Sequence, residues 1–188
     1  MQEITFKIIG DQIRVTSPYN KEFVHRARNL RGKWQNNAWW FDDSLTEYVR
    51  EIMIEHYGTT GEDHYETCTL LVSDYTDSVL QGPVTLFGRT VAKAFGRDSY
   101  AKLGDSIVFI SGSYSSGGSV KNWRTIVQNA TFEIKDFPIP SLSLSEVSKA
   151  IEEGWCTVKP VAKKRPKEEI EAEIKELENR INQLRNEL

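Results

Sequence analysis

The chain has 188 residues, of which 39% are hydrophobic and 27% charged, and a formal net charge of -3. That length holds one ordinary domain or two small ones with an appendage, and the acidic balance excludes a polycation along the whole chain. No apolar run approaches the roughly 20 residues that span a bilayer, the start MQEITFKIIG lacks the regions of a signal peptide, and Cys68 and Cys156, far apart, read as reduced thiols of a cytoplasmic protein.

Residues 1–58 read as a small strand-strand-helix-strand-strand-helix (ββαββα) unit. Ile4, Phe6 and Ile8 alternate with polar residues, Gly10-Asp11 makes a two-residue turn, and Ile13 and Val15 alternate back. Ser17-Pro18 opens a helix, with Ser17 as its N-cap and Pro18 at the first position. Phe23, Ala27 and Leu30 form its core-facing stripe, and Gly32 ends it. Asn36-Asn37 tolerate the left-handed backbone of a tight hairpin between Lys33-Trp34 and Trp39-Trp40-Phe41. Ser44-Leu45-Thr46-Glu47 is a capping box for a second helix, closed at Gly58.

A polar linker over 59–65 leads to a β-rich second unit, 66–137. Its expected strands are Thr67–Val72, Val84–Phe95 with a break at Gly88, Ser106–Ser111, Asn122–Val127 and Thr131–Asp136. Ser113 to Ser119 reads as a long flexible loop. Five such strands suit a small barrel or a curled sheet. After a second linker, a short helix over 143–154 is capped by Ser143-Leu144-Ser145-Glu146 and ended by Gly154.

The segment 166–188 carries a heptad repeat. Ile170, Ile174, Leu177, Ile181, Leu184 and Leu188 are spaced 4, 3, 4, 3, 4, the seam of a coiled coil through which the chain pairs with a copy of itself. Ile at two a positions and Leu at two d positions favour a parallel dimer. The flanking charges favour an antiparallel one, since a parallel seam sets Glu173 beside Glu178 and Arg180 beside Arg185. Exposed pairs are worth only a few tenths of a kcal/mol each, so orientation stays open, as does a lone helix docked on its own domain.

Although the chain is acidic overall, its cations are segregated. Lys21, Arg26, Arg28, Arg31 and Lys33 face one acid, Glu22, for a local charge of +4. A hairpin with three tryptophans follows at once. Trp39 and Phe41 share one face of a strand and Trp40 takes the other. Aromatic faces stack unpaired bases at roughly 1–3 kcal/mol each, and Lys and Arg contact phosphates. The candidate nucleic-acid-binding residues here are Arg26, Arg28, Arg31, Lys33, Trp34 and Trp40. From Arg89 to Arg124 the local charge is again +4, with Tyr100, Tyr114 and Trp123 interleaved. Arg97, Lys121, Trp123 and Arg124 are the candidates there. The stretch Gly112 to Ser119 offers a further option, a backbone cradle for a phosphate.

Ser17-Pro18-Tyr19-Asn20-Lys21-Glu22-Phe23, then Gly32-Lys33-Trp34, Ala38-Trp39-Trp40-Phe41 and a helix ending Tyr57-Gly58 resemble the HARP-type domain (HepA-related protein) and related small modules of phage and plasmid proteins. The resemblance covers the first third of the chain and implies engagement of single-stranded or branched DNA. No GxxxxGK[ST] occurs, so ATP-driven remodelling does not accompany it.

His25, His56 and His64 are scattered, Asp42-Asp43 suits a helix N-terminus, and GxSxG, HExxH and GxGxxG are missing. The reading is of a non-enzymatic α+β protein without cofactor or metal. It is an oligomeric, cytoplasmic binder of single-stranded or branched nucleic acid from a phage or other mobile element. The alternative is a phage anti-defence inhibitor that occupies a host defence protein or sequesters a nucleotide signal.

Overall fold

The computed structural model describes residues 3–159, together with Lys175, Leu177 and Glu178. Strands β1 (Thr5–Ile9) and β2 (Gln12–Thr16) form the expected hairpin around Gly10. Helix α1 (Lys21–Asn29) follows, then β3 (Lys33–Gln35), β4 (Ala38–Asp42) and α2 (Thr46–Tyr57). Asn36 and Asn37, both at positive φ, make the turn between β3 and β4. The antiparallel sheet runs β1-β2-β4-β3. Both helices lie over the face carrying Phe6, Ile13, Val15, Trp39 and Phe41, where Phe23, Ala27, Val49, Ile52 and Met53 complete a buried core. Each large side chain removed from water there contributes about 1.5–3 kcal/mol.

The helix starts differ from expectation. Asn20, not Ser17, caps α1, its Oδ1 accepting from the Glu22 and Phe23 N–H groups at 2.9 and 3.1 Å. Ser17 is buried, and Pro18-Tyr19 is an extended step that delays the helix by one turn. A 3-10 turn, Asp43–Leu45, is inserted before α2, with the Asp42 carboxylate accepting from the Ser44 N–H at 3.1 Å. Gly58 does close α2, at φ +68.

The second unit is built on two long strands, β5 (Thr67–Leu80) and β10 (Trp123–Pro138). Between them come β6 (Val84–Leu86), β7 (Arg89–Lys93), β8 (Lys102–Leu103) and β9 (Ile107–Gly118). Helix α3 (Ser145–Glu152) and β11 (Cys156–Lys159) follow. One antiparallel sheet has the order β11-β5-β10-β9 and a smaller one β6-β7-β8, with a single core of Leu70, Val72, Val91, Phe132, Ile134 and Val147. Among the described residues this is a pair of curved sheets, and not one closed ring of strands.

Several expected boundaries dissolve into the long strands. Asp74 and Asn129, which have the composition of turns, instead sit at positive φ where the β5–β10 register shifts. They are bulges that bend a continuous pair. The stretch Ser113 to Ser119 is no flexible loop and no phosphate cradle. Tyr114 lies opposite Val127, Ser116 opposite Thr125 and Gly118 opposite Trp123, so β10 supplies the pairing that a Gly/Ser composition does not. The capping box before α3 is also not used, since the Ser143 hydroxyl donates to the Pro140 carbonyl at 2.8 Å and Leu144 is the cap. Strand β11, which follows Gly154 by two residues, was not among the expected strands.

The two units are in contact. The linker over 59–65 folds back on the first unit, where the Ile4 N–H, just before β1, donates to the Tyr65 hydroxyl oxygen at 3.2 Å and Arg50 of α2 holds Glu62 at 2.7 Å. The Ser141 hydroxyl donates to the Tyr57 carbonyl. A Cβ at Gly58 would lie 2.7 Å from Ser141 Cα, so glycine is required there by packing as well as by φ. Among the described residues no helix is long and apolar enough to cross a membrane. The heptad over 166–188 lies outside the described residues apart from Leu177, which is helical and 57% exposed.

Candidate nucleic-acid interface

The step into α1 creates the most apolar recess that the candidate residues share. Pro18 and Tyr19, then Val24 and Arg28, one helical turn apart on α1, and Trp34 and Trp39 line it. The cavity is about 330 Å³, inside the range of roughly 300–1,000 Å³ typical of small-ligand sites. Its floor is rigid: buried Phe23 meets Trp39 edge-on at 6.5 Å and Tyr57 at 5.0 Å. The rim is open. Trp34 and Tyr19 are each 50% exposed, although Trp34 packs at 60° to Trp39 with 5.5 Å between ring centres.

Local sequence explains this geometry. Trp34 lies opposite Trp39 in the β3–β4 register and therefore on the same face. Because β3 is an edge strand of three residues, no neighbouring strand covers its outer side, and half of the indole remains in solvent. The Tyr57 hydroxyl donates to the Pro18 carbonyl at 2.9 Å and fixes the Pro18-Tyr19 step. Burial pushes the Tyr57 phenol well above its ordinary range, so it remains a donor.

The other candidates in this unit divide into two groups. Trp40 lies on the opposite face of the sheet from α1, across from Lys33. It joins Arg31 and Lys33 in a separate, more polar recess of about 490 Å³, and its Nε1–H donates to the Gln35 carbonyl at 3.2 Å. The indole beside the basic helix is accordingly Trp34, not Trp40. Arg26 faces away and pairs with Glu55 at 3.3 Å. Among the described residues, Arg28, Arg31 and Lys33 have no carboxylate at ion-pair distance. The two recesses sit back to back across a single sheet.

In the β-rich unit the four candidates meet at one end. The Gln81 N–H donates to the Trp123 carbonyl at 3.0 Å and its side-chain amide to the Lys121 carbonyl. Ser116 Oγ donates to the Arg97 carbonyl at 2.7 Å, and Arg124 reaches Ser78 Oγ at 3.0 Å. Arg97 is bound to its neighbour Asp98 at 2.8 Å, which holds that carboxyl below its usual range. Phe95 and Tyr100, at 62% and 82% exposed, stand beside them, and the Lys93 ammonium lies 4.9 Å from the Phe95 ring centre.

Tyr19, Pro18 and Arg89 were not foreseen as site residues. Tyr19 belongs to the Pro-Tyr-Asn turn, where the Pro and Asn signals point to backbone geometry and say nothing of the ring's position. Comparison with family models, with curated proteins and with solved structures gives no match.

Proposed function

We propose that this protein binds single-stranded or branched nucleic acid, seating an unstacked base in the recess between Tyr19, Arg28, Trp34 and Trp39. The observation that carries the proposal is Trp34. A half-exposed indole, held edge-on against a buried one, lines an apolar cavity whose rim bears an arginine free of carboxylates among the described residues. A planar base gains stacking there, and its phosphates meet Arg28, with Arg31 and Lys33 at the far side of the same edge. The resemblance of the N-terminal third to HARP-type modules points the same way. Nothing in this role calls for catalysis.

Self-association through 166–188 multiplies the contact. The heptad pattern supports it, and so does Leu177, a d position whose side chain is exposed in the single chain. Linking two modest sites raises the effective concentration of the second. Fluorescence anisotropy with a labelled oligothymidylate at two salt concentrations tests the reading. Binding that weakens steeply with salt is the expected result, and no binding at low salt sinks it.

The size of the recess, within the range of small-ligand sites, also favours a second reading, in which an anti-defence protein sequesters a free nucleotide signal. Stabilisation by a cyclic nucleotide or an ADP-ribose derivative, without oligonucleotide binding, selects that reading.

A further inference from the structure

Strand β7 brings a second cation to the same turn. Arg89 is only 8% exposed, yet its Nε–H has no hydrogen-bond partner. Its planar group lies over the Phe137 ring at 5.8 Å. Asp136 acts on it at a distance, but among the described residues no carboxylate oxygen lies within ion-pair range. Burial pushes the guanidinium below the ordinary arginine value. A buried charge without a counter-ion is costly, and a ligand anion satisfies it.

The position of this arginine ties it to the aromatic cleft. Arg89 lines a recess of about 210 Å³ together with Pro18, Tyr19, Gly104, Asp105 and Ser106. Pro18 and Tyr19 also wall the cleft of Trp34, so the two cavities share a partition. Gly88, beside Arg89, meets the Asn20 side chain so closely that a Cβ would lie 3.2 Å from its amide nitrogen. The turn that shapes the cleft therefore rests directly on the strand that carries Arg89. On its other side Arg89 borders a cavity lined by four carboxylates, Glu3, Glu62, Asp63 and Asp136, whereas Asp105 is the one carboxylate lining the recess on the Tyr19 side. The Tyr19 side therefore opposes a phosphate least.

We propose that Arg89 receives a backbone phosphate of the strand whose base occupies the Trp34 cleft, so that one track crosses from the first unit to the second over Tyr19. This rests on the reading given above and adds the β-rich unit's share of the site. A backbone phosphate fits better than a free one, because a strand anchored in the neighbouring cleft brings its next phosphate past Asp105 at high effective concentration.

The test titrates labelled oligothymidylate over a salt series with wild type, Arg89→Gln, Arg89→Lys and Trp34→Ala. It also titrates oligomers in which one neutral methylphosphonate linkage is walked along the chain. Arg89→Gln is expected to weaken binding at least about ten-fold, the scale of a lost charged hydrogen bond. It should also make the slope of log K against log salt shallower by about 0.7, one phosphate's worth for a single strand. Arg89→Lys recovers the slope. In wild type, one methylphosphonate position costs far more than its neighbours, and this arm reads out even if Arg89→Gln does not fold. A uniform methylphosphonate profile, or an Arg89→Gln slope equal to wild type, overturns the inference. If Trp34→Ala still loses binding in that case, the cleft survives. No binding by wild type at low salt removes both, and saturable binding of inorganic phosphate alone, lost in Arg89→Gln, replaces the backbone phosphate with a free one.

Discussion

The segment from Lys21 to Lys33 and the segment from Arg89 to Arg124 have the same local charge, and each is accompanied by aromatic residues. Folding treats them in opposite ways. In the first unit the aromatics converge: Trp34, Trp39 and Tyr19 close a cavity over Phe23, and Arg28 stands at its rim unpaired among the described residues. In the second, Phe95 and Tyr100 are exposed, and Arg97 is bound to Asp98. The recess makes the difference. A base entering it loses more water than one resting on the exposed rings. Equal composition therefore supports stacking in a recess at one place and only loose electrostatic contact at the other.

The sharpest way to break this comparison is to remove the floor of the cleft. Phe23→Ala empties a fully buried position at the meeting point of Trp39, Tyr57 and His56. A loss of about 3–5 kcal/mol is expected in denaturant unfolding, whereas Phe95→Ala among the exposed rings stays within about 0.5 kcal/mol. Next comes Trp34→Ala, which leaves the fold in place. It should weaken oligonucleotide binding by about 1–3 kcal/mol, while Tyr100→Ala changes it by no more than an ordinary surface substitution. Comparable losses from the two aromatic variants would erase the distinction between recessed and exposed. A smaller effect separates the arginines. Arg28→Ala should make the salt slope shallower by about 0.7, and Arg97→Ala, already neutralised by Asp98, should leave it unchanged.

The same contrast shows what could be read from the chain beforehand. The first unit was legible because its signals are local: Gly10, Asn36-Asn37 and Gly58 each fix a turn by backbone conformation alone, and the burial of Trp39 with Phe41 follows from strand alternation. Strand limits in the second unit were not, because pairing overrode composition. Asp74, Asn129 and the Gly/Ser run of β9 all look like loop, yet each is held in a ladder by a partner distant in sequence. Arg26, Arg28 and Arg31, which helix periodicity turns toward solvent, are exposed. The cavity itself depends on Tyr19 meeting Trp34 across a helix, and Arg89 reaches Tyr19 only through contact between two units. No periodicity encodes either approach.

The finest distinction between the units is their response to acid. All three histidines precede Glu66, so the β-rich unit has none. His56 lies under the cleft, edge-on to Phe23 at 6.3 Å, with its Nε2 buried and without a hydrogen-bond partner. Burial is the main cause that lowers its pKa from 6.5; Arg26 lowers it further, while Glu55 and Glu22 act in the opposite sense. The unfolded chain thus takes up a proton that the folded unit resists. Stability is full above pH 6.5 and falls as the pH drops from there toward the depressed folded value. Melting followed by hydrogen exchange at about pH 7.5 and about pH 5.5 should show protection lost in β1–β4, α1 and α2 but not in β5 and β10. His56→Gln removes the titrating group and should flatten that loss. An equal loss in the variant assigns the acid response in that range elsewhere, and not to Glu62. Arg50 holds that carboxyl below its ordinary value of 4.5, so its contribution is present above pH 4.5 and disappears only on further acidification. The two groups therefore act in different windows, and the pH at which protection first falls identifies which one governs the cleft.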